Sequence, residues 1–410
     1  MPIANRPRSR PRLRGRLAAS LAATLLWPAC GGSGSSPTAP SPTPSPTAPA
    51  GPSAARPFPQ NVAYERGFRP SNLGAEDARA VYTTWKQRYL KADCGPGLLR
   101  VEFQSPVGTT VSEGMGYGML LTAYFGDRRE FDELYAFVKK NWNANGLMGW
   151  KVTCAGPITD PGTWGQNAAT DGELDIALAL VVAANQWGGA YWDEARGYAQ
   201  RMRSKLWQYC AASGRQVQKP GDTFGGCDLG NTSYWMPGYY RVFAELTGES
   251  FWNDAVTGAY AQIFANRHPV TGFLANQADE WGRTVGEPRV DYNGCRVPWR
   301  IVTDHLWWGS SEAQEVTDRL TAWAGAQGIS TLVDGYLVDG TRYPGSTWTR
   351  SNPWTGGWAT GAMSHSQARV DEFTAWFKGC GADDGYYDTS LRALYMLTLT
   401  GNFWRPSGRP

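Results

Sequence analysis

The chain has 410 residues, of which 42% are apolar, so it can bury a large core and is not disordered as a whole. Its formal charge of +3 arises at its start, because six arginines and no acidic residue occur in residues 1–30. The remainder holds 33 basic and 36 acidic residues and is slightly acidic, which gives no support to a nucleic-acid partner.

Residues 1–30 have the pattern of an export signal. An arginine-rich start precedes the apolar run Leu17–Trp27, which is too short to span a bilayer as a stable helix. The segment Trp27–Cys30 resembles a bacterial lipoprotein cleavage box, which predicts a lipid on Cys30, with plain secretion as the alternative. We expect no membrane contact other than through that lipid.

Residues 31–57 are Ser, Thr, Pro, Ala and Gly with one charge near the end, and such a segment cannot bury enough apolar area to offset its ordering entropy. They predict a disordered linker. Residues 58–410 are therefore expected to form the folded domain, with a monomer as the default state.

Six cysteines follow the linker, and an even number in an exported chain favours disulfides over metal ligands. They are Cys94, Cys154, Cys210, Cys227, Cys295 and Cys380. We expect Cys210 to pair with Cys227, because both lie around one loop between predicted helices. Buried free thiols are the alternative.

Helical periodicity dominates from residue 70 onward, and a two-helix unit repeats about every 60 residues. An apolar helix ending in a glycine turn occurs at 112–126, 170–188 and 232–248, and further units begin near Pro298 and Tyr386. The first helix of a unit is apolar on all sides, as in Leu174–Trp187. The second alternates apolar and charged residues, as in Tyr191–Trp207.

Paired buried and surface helices predict two concentric helical layers, and with a less regular unit near Ala75–Leu90 and room for a sixth, the simplest closure is an all-α (α/α)6 barrel. An open helical solenoid is the alternative. In both arrangements the N-terminal ends of the inner helices share one rim. Glu113, Asp171 and Tyr234 lie at those ends.

Twenty tryptophans are more than packing normally needs, and aromatic faces stack on the C–H faces of β-linked sugars. Trp150 lies in a loop between two units and is the candidate stacking platform. Most of the other aromatic residues are expected in the core.

Three segments carry the candidate chemistry: Ser-Glu-Gly-Met-Gly-Tyr-Gly-Met at 112–119, Ala-Thr-Asp-Gly-Glu-Leu-Asp-Ile-Ala at 169–177, and Val-Asp-Tyr-Asn-Gly-Cys-Arg-Val-Pro-Trp-Arg at 290–300. Taken alone, Glu113 is readable as an exposed first-turn glutamate stabilised by the helix dipole, and Asp171 as a helix cap. Together and in this order, the three segments resemble glycoside hydrolase family 8.

The resemblance implies an (α/α)6 barrel acting as an endoglucanase, chitosanase, lichenase or xylanase, with no metal and no cofactor. It implies that Glu113 is the general acid, that Asp171 holds the sugar beside the cleavage point, and that Tyr234 positions the attacking water. Arg296 would orient the carboxylate and sugar hydroxyls around it. Tyr117 and Asn293, within the same motifs, are further substrate-binding candidates.

Inversion of the anomeric centre requires a second carboxylate about 6.5–9.5 Å from the acid. Many family members have Asp where this chain has Asn293, and an amide cannot accept a proton from water. A subgroup takes a Glu from a loop upstream, where this chain offers Glu280, Glu287 and Asp291. We favour Glu287, because it lies in the glycine-rich approach to the motif.

The sequence therefore predicts an inverting endo-hydrolase of β-1,4-linked polysaccharide, with cellulose or a related β-glucan as the leading substrate and chitosan second. Because Asn293 replaces a base, a catalytically silent glycan-binding protein is the alternative of another class, and a lyase is a third. The three histidines lack the spacing of a metal pair, and His305 is expected in the core.

Overall fold

The structure of this chain is a computed structural model that describes residues 53–381 and 385–410. The predicted export signal, Cys30 and most of the predicted linker lie outside the described residues. The chain contacts the barrel from the end of the predicted linker onward, because the backbone N–H groups of Ala55 and Arg56 bond to Gln186.

Twelve α-helices lie within the described residues. They are α1 (Ala75–Tyr89), α2 (Ser112–Phe125), α3 (Arg128–Lys140), α4 (Thr170–Trp187), α5 (Tyr191–Leu206), α6 (Pro237–Thr247), α7 (Phe251–Asn266), α8 (Val297–Trp308), α9 (Ser311–Gln327), α10 (Asn352–Gly361), α11 (Gln367–Lys378) and α12 (Tyr386–Leu399).

Short antiparallel strands connect these helices. They are β1 (Leu90–Lys91), β2 (Arg100–Val101), β3 (Thr110–Val111), β4 (Lys151–Thr153), β5 (Gly156–Pro157), β6 (Trp207–Cys210), β7 (Arg215–Gln218), β8 (Gly230–Asn231), β9 (Gln277–Ala278), β10 (Arg289–Val290) and β11 (Tyr336–Leu337).

The even-numbered helices form an inner ring. Each contacts the next along the chain, and α12 returns to contact α2, so the ring closes. Each inner helix also packs against an outer helix, and α1 completes the outer layer against α12. The predicted (α/α)6 barrel is confirmed, and the open solenoid is excluded because its ends would not meet.

Helix composition follows these positions. Nearly every residue of α4 is buried, whereas α5 buries one face through Ala195, Tyr198, Ala199, Met202 and Leu206. Three inner helices, α2, α6 and α8, end at glycines with left-handed backbone, such as Gly126 (φ 80°), a conformation that residues other than glycine rarely adopt. The single core lies between the two layers and within the inner ring.

Glycines in two of the motifs let α2 and α4 approach closely. A Cβ on Gly116 would lie 2.6 Å from Cβ of Asp175, and one on Gly172 would lie 2.6 Å from the backbone of Ser112. These distances are shorter than carbon atoms tolerate, so only glycine fits. The starts of the two helices, and with them Glu113 and Asp171, are brought together by this contact.

Two disulfides hold the connecting segments. Cys210 pairs with Cys227, as predicted, and Cys94 pairs with Cys154, which joins the turn after β1 to the β4–β5 hairpin. Cys295 and Cys380 lie in neither disulfide and are buried, so the alternative of buried thiols holds for these two residues. In the described part of the chain, no helix combines the length and apolarity needed to cross a bilayer.

Candidate active site

The predicted rim contains a compact cluster of charged side chains. Glu113 and Asp171 each occupy the second position of an inner helix, α2 and α4, and Arg296 ends the 3-10 helix Gly294–Arg296 that leads into α8. Residues far apart in sequence meet here because the inner helices all begin at this end of the barrel.

Arg296 links the two acidic residues. Its Nη1 donates at 2.8 Å to Oε2 of Glu113, at 2.8 Å to Oδ2 of Asp171 and at 3.2 Å to the hydroxyl of Tyr117. Its Nη2 donates at 2.9 Å to Oγ of Ser233. A guanidinium holds such a geometry rigidly, since its donors lie in one plane.

The side chain of Glu113 remains 16% exposed, whereas those of Arg296 and Asp171 are almost fully buried. Burial raises the pKa of Glu113 to about 7; Arg296 opposes this shift, and the Asp171 carboxylate adds to it. A carboxyl group that reaches the surface and still carries a proton near neutral pH is suited to general acid catalysis.

Tyr386 is a residue of the cluster that the sequence analysis did not select. Its hydroxyl donates at 3.0 Å to Oε1 of Glu113 from the first position of α12. A Cβ on Gly114 would lie 2.7 Å from this hydroxyl, so glycine leaves the space that Tyr386 occupies. Its place at the start of a predicted inner helix was the sequence feature that could have identified it.

A second ion pair lies beneath the cluster. Arg300 donates to both carboxylate oxygens of Asp175 at 2.6 Å and to the Tyr239 hydroxyl at 3.0 Å. All three side chains are buried. Because Asp175 follows Asp171 by one helical turn and Arg300 follows Arg296 by one turn, this pair supports the upper cluster from below.

A directional hydrogen-bond chain connects Arg296 to Asp291. After Ser233 accepts from Arg296, its hydroxyl donates at 2.9 Å to Oδ1 of Asn231. Asn231 donates at 3.4 Å to Oδ1 of Asn293, and Nδ2 of Asn293 lies 3.4 Å from Oδ1 of Asp291. Each donor in this chain points toward Asp291. The chain therefore runs from the Arg296 cation to the Asp291 carboxylate.

The structure places the three candidate bases differently. Asp291 is half-buried and lies at the end of the hydrogen-bond chain from Arg296. Nη2 of Arg289 lies 3.2 Å from its other oxygen, Oδ2. Glu287 is exposed and accepts from the hydroxyl of Tyr343 at 3.2 Å. Glu280 accepts from the backbone N–H of Ser213, beside the Cys210–Cys227 disulfide. Within the described residues, only Asp291 is hydrogen-bonded into the cluster.

Trp150 immediately precedes β4 and lies beside the acid. Its carbonyl accepts from the N–H of Ser112 at 3.0 Å, in register with the pairing of Val111 and Lys151 between β3 and β4. Its indole N–H donates to the carbonyl of Thr163 at 2.9 Å, and its ring is half-buried. The position is compatible with the predicted stacking role.

The two predicted tyrosines occupy different places. Tyr117 is fully buried against Arg296, so it contacts the guanidinium from inside the barrel. Tyr234 is half-buried, and its ring centre lies 5.5 Å from the Arg296 guanidinium. Of the two, only Tyr234 reaches the surface.

Two groups of potential metal ligands lie within the described residues, Asp93 with Cys94 and Cys154, and Cys210 with Cys227 and Glu280. Each contains both sulfur atoms of a disulfide, which are not available as thiolates. His305 is buried between the carbonyls of Arg66 and Ser310, as expected of a core residue.

Comparison with known sequences identifies the family. The sequence profile of the glycosyl hydrolases family 8 matches residues 71–401, and the match includes every motif of the cluster. This chain belongs to glycosyl hydrolase family 8. The predicted family is thereby confirmed.

Relatives of this family 8 chain include endoglucanase A of Acetivibrio thermocellus, 32% identical over 88% of this chain and 78% of the relative. The beta-glucanase of Niallia circulans is 30% identical over 85% of this chain and 91% of the relative. The solved apo structure of a beta-1,3-1,4-glucanase from Paenibacillus sp. X4 superposes with a TM-score of 0.75 at 26% identity, covering 85% of this chain and 99% of that one.

Proposed function

We propose that this chain is an inverting, endo-acting glycoside hydrolase that cleaves a β-1,4-linked glucan. The Glu113 carboxyl carries the proposal, because burial raises its pKa to about 7 while its side chain still reaches the surface. It donates its proton to the glycosidic oxygen as the bond breaks. Similarity to endoglucanases and β-glucanases supports a glucan over xylan or chitosan.

Arg296 and Tyr386 orient Glu113, one on each carboxylate oxygen. After proton transfer the carboxylate is negative, and both donors then stabilise it in place. Asp171, held by the same guanidinium, faces the sugar next to the bond that is cut, and Tyr234 orients the attacking water. Trp150 stacks on a neighbouring sugar.

Asp291 is proposed as the general base. Its hydrogen-bond chain to Arg296 fixes its position relative to Glu113, whereas the carboxylate of Glu287 is exposed and accepts only from Tyr343 among the described residues. Asn293 occupies the link between Asn231 and Asp291 and serves to position this carboxylate. Inversion requires the base to activate a water on the face opposite the acid.

The proposal is tested with the wild type and Glu113→Gln on carboxymethyl cellulose, mixed-linkage glucan, chitosan and xylan. Wild type is expected to release reducing ends from a glucan, and early loss of viscosity would show internal cleavage. Glu113→Gln should lose at least about a hundredfold in rate while still binding the polymer. Product NMR is expected to show α-anomers from β-linkages.

If wild type binds these polymers but cleaves none, the chain is a glycan-binding protein. Preferential cleavage of chitosan or xylan would support the hydrolase reaction but would contradict β-glucan as the substrate. Unsaturated products that absorb in the ultraviolet would indicate a lyase instead.

We further propose that the chain is exported and carries a lipid on Cys30. The two disulfides support an oxidising compartment. Cell fractionation of the wild type and Cys30→Ser tests the lipid: the variant should move from the membrane to the soluble exported fraction, and an unchanged distribution contradicts the proposal.

A further inference from the structure

Trp164 combines two unfavourable features. Its backbone is left-handed, with φ 49°, a conformation that bulky residues rarely adopt. Its side chain is also 48% exposed, although an indole ring gains by burial. Conformations of this kind persist only where the surroundings enforce them, and they cluster at ligand-binding sites.

The surroundings of Trp164 connect it to the proposed active site. Its N–H bonds to the carbonyl of Asp160 at 3.3 Å, and its own carbonyl accepts from Asn167 at 3.0 Å. The carbonyl of Asn167 in turn accepts from the N–H of Trp150 at 2.7 Å, and the indole N–H of Trp150 donates to the carbonyl of Thr163. The exposed ring therefore belongs to the same small unit as Trp150.

Close backbone contacts keep this unit rigid. A Cβ on Gly165 would lie 2.2 Å from the carbonyl oxygen of Lys151, and one on Gly149 would lie 2.6 Å from the carbonyl oxygen of Gly165. The N–H of Lys151 also donates to Gly165 at 3.2 Å. Since Trp150 bonds to Ser112 beside Glu113, Trp164 is held in a fixed relation to the general acid.

We propose that Trp164 is a second aromatic platform, which stacks on a sugar of the bound β-glucan farther from the cleavage point than the sugar at Trp150. The inference rests on the proposed function, and it adds a subsite that only longer chains reach. This role accounts for the strained backbone and the exposed ring of Trp164, because the ring presents its face to a sugar instead of to the core.

The test uses Trp164→Ala in the full chain, with Tyr209→Ala as the matched control. Tyr209 is also an exposed aromatic residue, at 60%, but it lies on the β6–β7 hairpin and no described hydrogen bond joins its side chain to the cluster. The measured quantity is kcat/KM for β-1,4-glucan oligosaccharides of increasing length and for polymer. Trp164→Ala should lose roughly tenfold on the longest substrates and nothing on the shortest.

Trp164→Gly separates binding from folding. Glycine adopts the left-handed backbone without strain, so this variant should unfold at the same or a higher temperature than Trp164→Ala and still show the length-dependent loss. A loss of equal size at every length, or no loss beyond that of Tyr209→Ala, would overturn the subsite.

The proposed function can fail separately. If wild type cleaves no β-glycan, retardation of the protein in gels containing soluble β-glucan takes the place of kinetics. Weaker retardation of Trp164→Ala than of Tyr209→Ala then supports the platform, and equal retardation overturns it.

Discussion

The hydroxyl of Tyr386 donates at 3.0 Å to Oε1 of Glu113, although 273 positions separate the two residues in the chain. The contact closes the barrel at its rim, because α12 and α2 are the last and first helices of the inner ring. It also tunes the acid, since this hydrogen bond lowers the pKa of Glu113 against the larger effect of burial.

Tyr386→Phe is therefore expected to move the basic limb of the pH profile upward. A general acid must be protonated, so kcat/KM falls as the pH rises through the pKa of Glu113, which is about 7 in the wild type. Without the hydroxyl, the pKa rises further and the fall occurs at higher pH. The profile of kcat/KM on soluble β-glucan measures this shift.

Tyr124→Phe is the control for that experiment. It removes another buried tyrosine hydroxyl, which bonds to the carbonyl of Trp404 away from the cluster. Its basic limb should coincide with that of the wild type. A limb that stays in place or moves downward in Tyr386→Phe contradicts the assignment of Glu113 as the acid that this bond tunes.

The choice of base is decided by three single variants. Asp291→Asn should lower kcat by a factor of about 10² to 10⁴, because an amide at this position cannot accept a proton from water. Binding of the polymer should be retained. Glu287→Gln and Glu280→Gln should stay within a few-fold of wild type. Steady-state kinetics and affinity electrophoresis give the two readouts, and a large loss in Glu287→Gln alone would transfer the role to Glu287.

Glu173 predicts a pH dependence of stability. It is buried in α4, accepts from the N–H of Met148 at 3.1 Å and from the hydroxyl of Tyr198 at 2.7 Å, and burial raises its pKa to about 8. Since the folded pKa exceeds the unfolded value, this group favours folding fully below about pH 4.5, and that contribution is lost as the pH rises through about 8.

Glu173→Gln should therefore reduce the fall in unfolding free energy between pH 5 and 8. Urea unfolding of wild type and variant at several pH values measures the difference, with Glu315→Gln on the surface of α9 as the control. Parallel curves for wild type and Glu173→Gln would show that Glu173 does not titrate in this range.

The disulfides should contribute unequally to stability. Cys94 and Cys154 are separated by 60 positions, whereas Cys210 and Cys227 are separated by 17. A longer loop loses more freedom in the unfolded chain, which gives about 4 kcal/mol for the first pair and about 3 kcal/mol for the second. Replacing each pair by serine and measuring chemical unfolding tests the order.

The first disulfide has a second expected effect, on activity. It holds the β4–β5 hairpin that follows Trp150, so the Cys94→Ser, Cys154→Ser double variant should also raise KM for polymer. The Cys210→Ser, Cys227→Ser variant should leave KM nearer to wild type. The reverse order of KM effects would separate the hairpin from substrate binding.

The barrel and the location of the acidic residues at its rim were predictable from the order of residues along the chain. Apolar inner and amphipathic outer helices can bury their surfaces only in two layers, and the repeat length determined how many helices share the rim. Glu113, Asp171 and Arg296 lie in glycine-rich or proline-opened motifs at helix starts, where local sequence dictates local structure, but their roles came from the resemblance of these motifs to glycoside hydrolase family 8. The Cys210–Cys227 pair was predictable for the same reason, since one short loop carries both.

The contacts between distant segments could not be predicted from the sequence and are known only from the folded chain. The Tyr386 bond to Glu113, the chain from Arg296 through Ser233 and Asn231 to Asp291, and the Cys94–Cys154 pair all join residues whose proximity depends on closure of the ring and on loop paths. Glu287 was favoured over Asp291 on the composition of the loop. That composition does not specify which carboxylate accepts a hydrogen bond from Asn293. Trp164 is a similar case, because its exposure and its left-handed backbone occur beside the close backbone contacts of Gly149 and Gly165, which form only in the folded chain.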